Sequence, residues 1–264
     1  MSTAKSESTG LYRATKIELI KSLVSRSSRK SLKAIKYIYR TIVQPNIVIN
    51  YGVKFDIQDP ILNPYKKIIY MNAWETDEVL LMRKYIDHND KVLEIGACIG
   101  FISSCASLLI GSRNVTAIEA NPNLIDAIKR MNTRNSINFN IINAMISKSS
   151  EYAVFHENES IYSSSTSERI GSKSVKNVKC IELQNLPSAK SATFIILDIE
   201  GSEYQFFKDF SMPSSTKKLL VEFHGIRKNS GASTNFYPET LMNLKNQSFD
   251  LIERRGRVHF FSRK

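Results

Sequence analysis

Two short stretches place ionisable side chains two residues apart: Asp198 and Glu200 in LDIEGSE, and Glu222 and His224 in VEFHG. Each follows an apolar run of strand character. Residues i and i+2 of a strand share a face, so each pair points one way at a strand end. Carboxylates and an imidazole gathered there can take a proton from a hydroxyl or hold a divalent ion. His224 is the expected base, because an unperturbed imidazole titrates near 6.5. A metal on Asp198, Glu222 and His224 is the weaker alternative, and none is expected. Glu203, which completes DIEGSE, falls in a first helical turn, where a carboxylate complements the N-terminus. His88, His156 and His259 show no ligand spacing and read as surface or loop residues.

The second constellation is VLEIGACIGF, residues 92–101. Glycines at 96 and 100 allow the backbone to approach a ligand without Cβ clashes. A pyrophosphate-binding turn has the spacing G-x-G-x-x-G. Here the middle position is Cys98, so the turn suits a ligand without phosphate. Glu119 ends the next strand, 25 residues after Glu94, where a carboxylate can accept both hydroxyls of a ribose. Turn and carboxylate together favour S-adenosylmethionine. Donor contacts are expected from Glu94, Gly96, Ala97, Cys98, Gly100 and Phe101, from Glu119 and Ala120, and from Asn143 and Ala144 at the third strand end.

These residues need a scaffold that brings strand ends together. KVLEI, VTAIEA, FNIINAMI, ATFIILDIE and KKLLVEF read as strands, and FISSCASLLI, NLIDAIKRMNTRN, EYQFFKDF and PETLMNLKNQ as helices between them. Such alternation implies an α/β fold with a parallel sheet covered on both faces. FDLIERRGRVHFF reads as a hairpin turning at Arg255-Gly256, which finishes the sheet with an antiparallel strand. A helix from Thr76 or Asp77 carries Val79, Leu80, Met82 and Ile86 inward. The Ser-rich stretch after residue 146 interrupts the order, with antiparallel strands around Ala153 and Val178 and an exposed loop over Tyr162 to Ser167.

From Trp74 to about Phe261 the chain resembles the FkbM family of class I S-adenosylmethionine-dependent methyltransferases. The resemblance is carried by WETDE, VLEIGACIG, AIEANP, the NAMIS strand end, LDIEGSEYQFF and VEFHG, in that order. It departs from the family pattern at Glu94, Cys98 and Ala120, where Asp, Asn and Pro are usual. The resemblance implies a Rossmann-like fold with a seven-stranded, mostly parallel sheet. It also implies methyl transfer, usually to a hydroxyl of a sugar, glycan, glycolipid or other natural product, with Glu75 in a segment covering the adenosyl pocket. Asp198, Glu200, Glu222 and His224 then lie nearest the acceptor.

The net charge of +12 is unevenly placed: residues 1–44 hold ten Lys or Arg against two Glu. Within them Leu19, Ile20, Leu23 and Val24, then Leu32, Ile35, Ile38 and Ile42, recur at helical spacing, giving two basic amphipathic helices. Their cations face water, or, over residues 11–43, an anionic membrane surface. Because the excess charge lies mostly outside the catalytic segment, an RNA or protein methyltransferase is the less favoured enzyme reading. A non-catalytic membrane-docked protein is the non-enzymatic one. No apolar run approaches the roughly 20 residues of a membrane span, and the three cysteines form no C-x-x-C pair. A cytoplasmic setting, at most peripheral on the inner face of a membrane, is expected. The expected organisation is a basic helical extension over 1–44, a hairpin-like connector over 45–73 around Tyr51-Gly52, and the methyltransferase domain over 74–264.

Overall fold

A computed structural model describes residues 29–148, 151–157, 174–224, 226–227, 233–234 and 237–263. The chain divides into two compact units, residues 1–76 and 77–264.

In the first unit, helix α1 (Arg29–Val43) precedes a hairpin of β1 (Ile47–Asn50) and β2 (Val53–Asp56), turning at Tyr51-Gly52, both at positive φ. A 3-10 turn over Pro60–Tyr65 runs into α2 (Lys66–Met71). Arg40 was counted among the solvent-facing cations. It instead donates from Nη1 to Asn50 Oδ1 and to the carbonyls of Ile69 and Tyr70, and from Nη2 to the Ile49 carbonyl. The guanidinium thereby ties the end of α2 to the hairpin. Trp74 is 2% exposed and packs on Tyr65 and Phe55, with ring centroids 5.2 and 6.1 Å away. That packing puts Trp74 and Glu75 with the first unit rather than with the domain that follows. The expected helix around residues 19–24 lies outside the described residues.

The second unit begins its core with α3 (Thr76–Tyr85), followed by β3 (Val92–Ile95), α4 (Phe101–Ile110), β4 (Val115–Glu119), α5 (Pro122–Asn135) and β5 (Asn140–Asn143). After the short β6 (Met145–Ile146), β7 (Tyr152–Glu157) pairs antiparallel with β8 (Ser174–Ile181), with Ala153 opposite Val178. The loop expected over Tyr162 to Ser167 lies outside the described residues. Then come α6 (Pro187–Ser191), β9 (Phe194–Leu197), α7 (Glu203–Asp209), β10 (Lys218–Glu222), and the two-residue strands β11 (Ile226–Arg227) and β12 (Ser233–Thr234). α8 (Tyr237–Asn246), β13 (Phe249–Arg255) and β14 (Val258–Arg263) finish the unit.

The main sheet has seven strands in the order β13-β14-β10-β9-β3-β4-β5. The five strands β5, β4, β3, β9 and β10 are mutually parallel, and β14 runs antiparallel between β10 and β13. This is a Rossmann-like α/β fold. Helices cover both faces of its centre, so β3 and β9 are buried at every position and read as continuous apolar runs rather than alternating ones. Burial of each such Leu, Ile or Phe contributes roughly 1.5–3 kcal/mol.

The phase of α3 differs from the sequence expectation. Leu80 is 37% exposed while Leu81 is fully buried, and Glu78, Val79 and Met82 are buried with it. The buried positions are 78, 79, 81 and 82, and Tyr85, one turn on, stacks on Phe260 of β14 at 3.8 Å. His259, expected at the surface, is 2% exposed: β14 is an interior strand, and the ring bonds the Tyr237 hydroxyl at 2.7 Å and the Arg257 carbonyl at 2.8 Å.

Candidate active site

β3 ends in a turn whose backbone only glycine permits at its first position. Gly96 has φ +90°, and a Cβ added there would overlap the carbonyl oxygen of Asp198, at the end of the neighbouring β9. Gly100 has φ +78°, and its Cβ would lie 2.9 Å from Ile128 of α5 and 3.1 Å from Phe139. Between them Cys98 is left-handed at φ +51°, an uncommon state for a residue with a Cβ.

The turn is tied to the end of β4. Gly96 and Ala97 donate from their main chain to the Ile118 carbonyl, at 2.9 and 3.0 Å, and Cys98 N–H donates to Glu119 Oε2 at 2.7 Å. Glu119 Oε1 accepts from Asn121 N–H, also at 2.7 Å. A carboxylate offers about four lone-pair sites, and the backbone N–H groups of Cys98, Asn121 and Ala120 take three of them, which leaves about one for a ribose hydroxyl. Burial pushes the Glu119 carboxyl up to about 7 against the backbone hydrogen bonds of Asn121, Cys98 and Ala120. At the third strand end, Asn143 Nδ2 holds the carbonyls of Glu119 and Ala120, and Ala144 N–H donates to Glu119 O at 3.1 Å.

Glu94 faces the other way. Its Oε2 accepts from Ser103 N–H at 2.9 Å and from the Ser103 hydroxyl, in the first turn of α4. Burial pushes it up to about 8. Its visible work is to brace the helix behind the turn. Phe101 is 1% exposed, with its ring in the core. Glu75, in the first unit, is left-handed at φ +43° and accepts the Trp74 indole N–H at 2.7 Å.

The four acceptor-side candidates do converge. His224 Nε2 lies 3.6 Å from Glu222 Oε1 and 3.7 Å from Glu200 Oε2, and Nδ1 lies 3.8 Å from Asp198 Oδ1. Nδ1 is closest to Glu203 Oε1, at 3.1 Å, and Glu203 also accepts from the N–H groups of Gly201 and His224. Burial pushes the Asp198 carboxyl well above the usual range, and the charge of Glu222 pushes it further, with His224 opposing. Burial lowers the His224 imidazolium, but the hydrogen bond and charge of Glu203, then Asp198 and Glu200, outweigh it and hold the ring at about 9. This departs from the expectation of a base near 6.5, because the surrounding carboxylates raise the proton affinity of the ring.

Three members of the site were not among the candidates. Glu203 locks His224 in place. Glu78 of α3 hydrogen-bonds Glu222, and burial, then the Glu222 charge, lift it to about 8. Arg257, at the β13–β14 turn, reaches Glu222 Oε1 with Nη2 at 2.8 Å. A glutamate inside the apolar stripe of α3 was a readable signal; the hairpin turn that delivers Arg257 carried none.

Residues 94–251, more than half of the chain, match the family model described as the methyltransferase FkbM domain. No curated protein matches the chain significantly. Among solved structures, a ribosomal protein L11 methylase from Lactobacillus delbrueckii subsp. bulgaricus is similar at 15% identity and TM-score 0.45, over 73% of this chain and 80% of that one. A putative transferase from Pyrococcus horikoshii is similar at 12% identity and TM-score 0.44, over 93% and 97%. A SAM dependent methyltransferase from Aquifex aeolicus is similar at 13% identity and TM-score 0.40, over 71% and 87%.

Proposed function

The chain belongs to the FkbM methyltransferase family, whose donor is S-adenosylmethionine, and we propose that it is an O-methyltransferase acting on a hydroxyl of a sugar, glycan, glycolipid or other natural product. The observation that supports this reading is the direct packing of Gly96 against the Asp198 carbonyl. It sets the donor turn beside the ionisable cluster.

S-adenosylmethionine supplies an activated sulfonium methyl, so the protein's tasks are to orient an acceptor and to take its proton. In this reading the turn of Gly96, Ala97 and Cys98 receives the amino-acid side of the donor. Glu119 takes a ribose hydroxyl on its remaining lone pair, and Asn143 and Ala144 shape the adenine side. Asp198 and Glu200 are the carboxylates placed to accept the hydroxyl proton. Burial raises the proton affinity of Asp198, which favours that role. Glu203 is a positioning residue acting through His224.

Calorimetry with S-adenosylhomocysteine and methyl transfer to hydroxyl-bearing acceptors test the proposal. Glu119→Ala is expected to weaken donor binding at least tenfold, about 1.4 kcal/mol. Asp198→Asn should keep donor affinity while losing turnover. Folded wild-type protein that fails to bind S-adenosylhomocysteine, or Glu119→Ala that binds it as tightly as wild type, would sink it.

For the N-terminal unit the reading is peripheral contact with anionic lipid: on α1, Lys33 and Lys36 are exposed beside Ile38, which is 48% exposed. Full-length protein should float with phosphatidylserine liposomes and lose that behaviour when Lys33, Lys36 and Ile38 are replaced together by Gln. Equal flotation of both proteins removes α1 from the reading.

A further inference from the structure

Asp198, Glu222 and His224 each present a ligand atom, and the three atoms lie within 4.8 Å of one another. Single ions with oxygen and nitrogen bonds of about 2.0–2.3 Å span such triads. Two further observations point to an ion. First, one nitrogen of His224 is already occupied: Nδ1 is held by Glu203, which Gly201 N–H anchors at 2.9 Å. Nε2 is thereby turned toward Glu222 and Glu200. Metal-ligating histidines are oriented in this way, with a carboxylate behind the ring. Second, Asp198 Oδ1 is buried without a hydrogen-bond partner. Buried polar oxygens rarely go unpaired, and a bound ion is among the standing reasons for one.

We propose that Asp198, Glu222 and His224 Nε2 bind a divalent cation, and that this ion ligates the acceptor hydroxyl; the second half rests on the methyl-transfer reading. The mixed nitrogen and oxygen set suits Mn²⁺ or a similar first-row ion. Arg257 holds Glu222 from the solvent side with a side chain that is 64% exposed, and it must release that oxygen when the ion binds. The ion lowers the pKa of the bound hydroxyl, and Glu200 is left to take its proton. The oxygen–methyl bond forms as the sulfur–methyl bond breaks, and the electron pair of the latter stays on sulfur as a neutral thioether.

The test uses full-length protein freed of metal with EDTA and titrated with Mn²⁺, reading the free-ion electron paramagnetic resonance signal. Wild type should remove about one equivalent, and its electron spin echo should carry a nitrogen modulation from a bound imidazole. Glu222→Gln and His224→Gln should weaken uptake at least tenfold, and Glu203→Gln by about 10–100-fold. Arg257→Gln should bind more tightly, a gain that unfolding cannot imitate. A full free-ion signal with wild type, no nitrogen modulation, or uptake unchanged across the variants overturns the proposal. S-adenosylhomocysteine binding is measured in parallel in EDTA. Donor binding without Mn²⁺ uptake overturns the metal site alone, whereas Mn²⁺ uptake without donor binding overturns the methyl-transfer reading and leaves the metal site standing.

Discussion

His224 and Glu203 are joined twice: the imidazole Nδ1 lies 3.1 Å from Glu203 Oε1, and the His224 main-chain N–H donates to Oε2 at 3.4 Å. Glu203 itself is buried at the start of α7. One carboxylate therefore fixes the orientation of the ring, its proton affinity and the path of the chain leaving β10.

The His224 ring should titrate near 9 in metal-free protein, followed by imidazole NMR shifts in EDTA. Glu203→Gln removes the largest raising influence, so the midpoint should move down toward 6.5. The sign for stability follows: a histidine whose folded pKa is raised contributes fully below 6.5 and loses that contribution as pH rises through about 9. Glu203→Gln should cost about 1–3 kcal/mol at pH 6 and much less at pH 10. An unshifted midpoint in the variant would refute the coupling.

Glu94 carries the same kind of test for the opposite charge. Burial raises its folded pKa from 4.5 to about 8, so its contribution is fully present below 4.5 and is lost as pH rises through about 8. Gln keeps an acceptor for Ser103 without the ionisation. Glu94→Gln should flatten denaturant-measured stability between pH 5 and 9 and leave the variant about 3 kcal/mol more stable than wild type at pH 9. Parallel pH curves for the two proteins would remove Glu94 as the cause.

Much of this site was legible because its parts lie at strand ends. β9 is FIIL, buried throughout, so Asp198 and Glu200 had to emerge where the apolar run stopped. The same logic located Glu119 and Glu222. What periodicity does not encode is which other element arrives at that place. Arg257 reaches Glu222 only because β14 inserts between β10 and β13, and that order is not written in either strand. The buried set on α3 was missed by one residue, since Leu80 and Leu81 are alike in sequence and only the packing of the folded helix chooses between them. The raised proton affinity of His224 was not legible, because its partner Glu203 lies 21 residues away in sequence.

Gly96 and Gly256 separate steric overlap from backbone strain. Both are at positive φ, +90° and +57°, but the nearest atom to a Cβ on Gly256 is Asp77 Oδ2 at 3.5 Å, an ordinary contact, whereas on Gly96 it is the Asp198 backbone. Gly256→Ala should cost about 1–2 kcal/mol of unfolding free energy, the left-handed strain alone. Gly96→Ala should cost more than about 3 kcal/mol, because neither turn can shift freely, and should abolish S-adenosylhomocysteine binding. Equal costs at the two positions would mean that the turn yields, and that its contact with Asp198 is not rigid.

Cys98 tests whether the departure from the family pattern matters through its side chain. The bond to Glu119 comes from the Cys98 main-chain N–H, and the residue sits at φ +51°. Cys98→Gly keeps that N–H and relieves the left-handed strain, about 1 kcal/mol offset by a more flexible unfolded chain. It should leave stability within about 0.5 kcal/mol of wild type and S-adenosylhomocysteine affinity within threefold. Cys98→Val puts a β-branched side chain into a conformation such residues avoid, and should weaken both by pulling the N–H away from Glu119. Loss of donor binding in Cys98→Gly, with the fold intact, would assign the thiol a direct part in holding the donor.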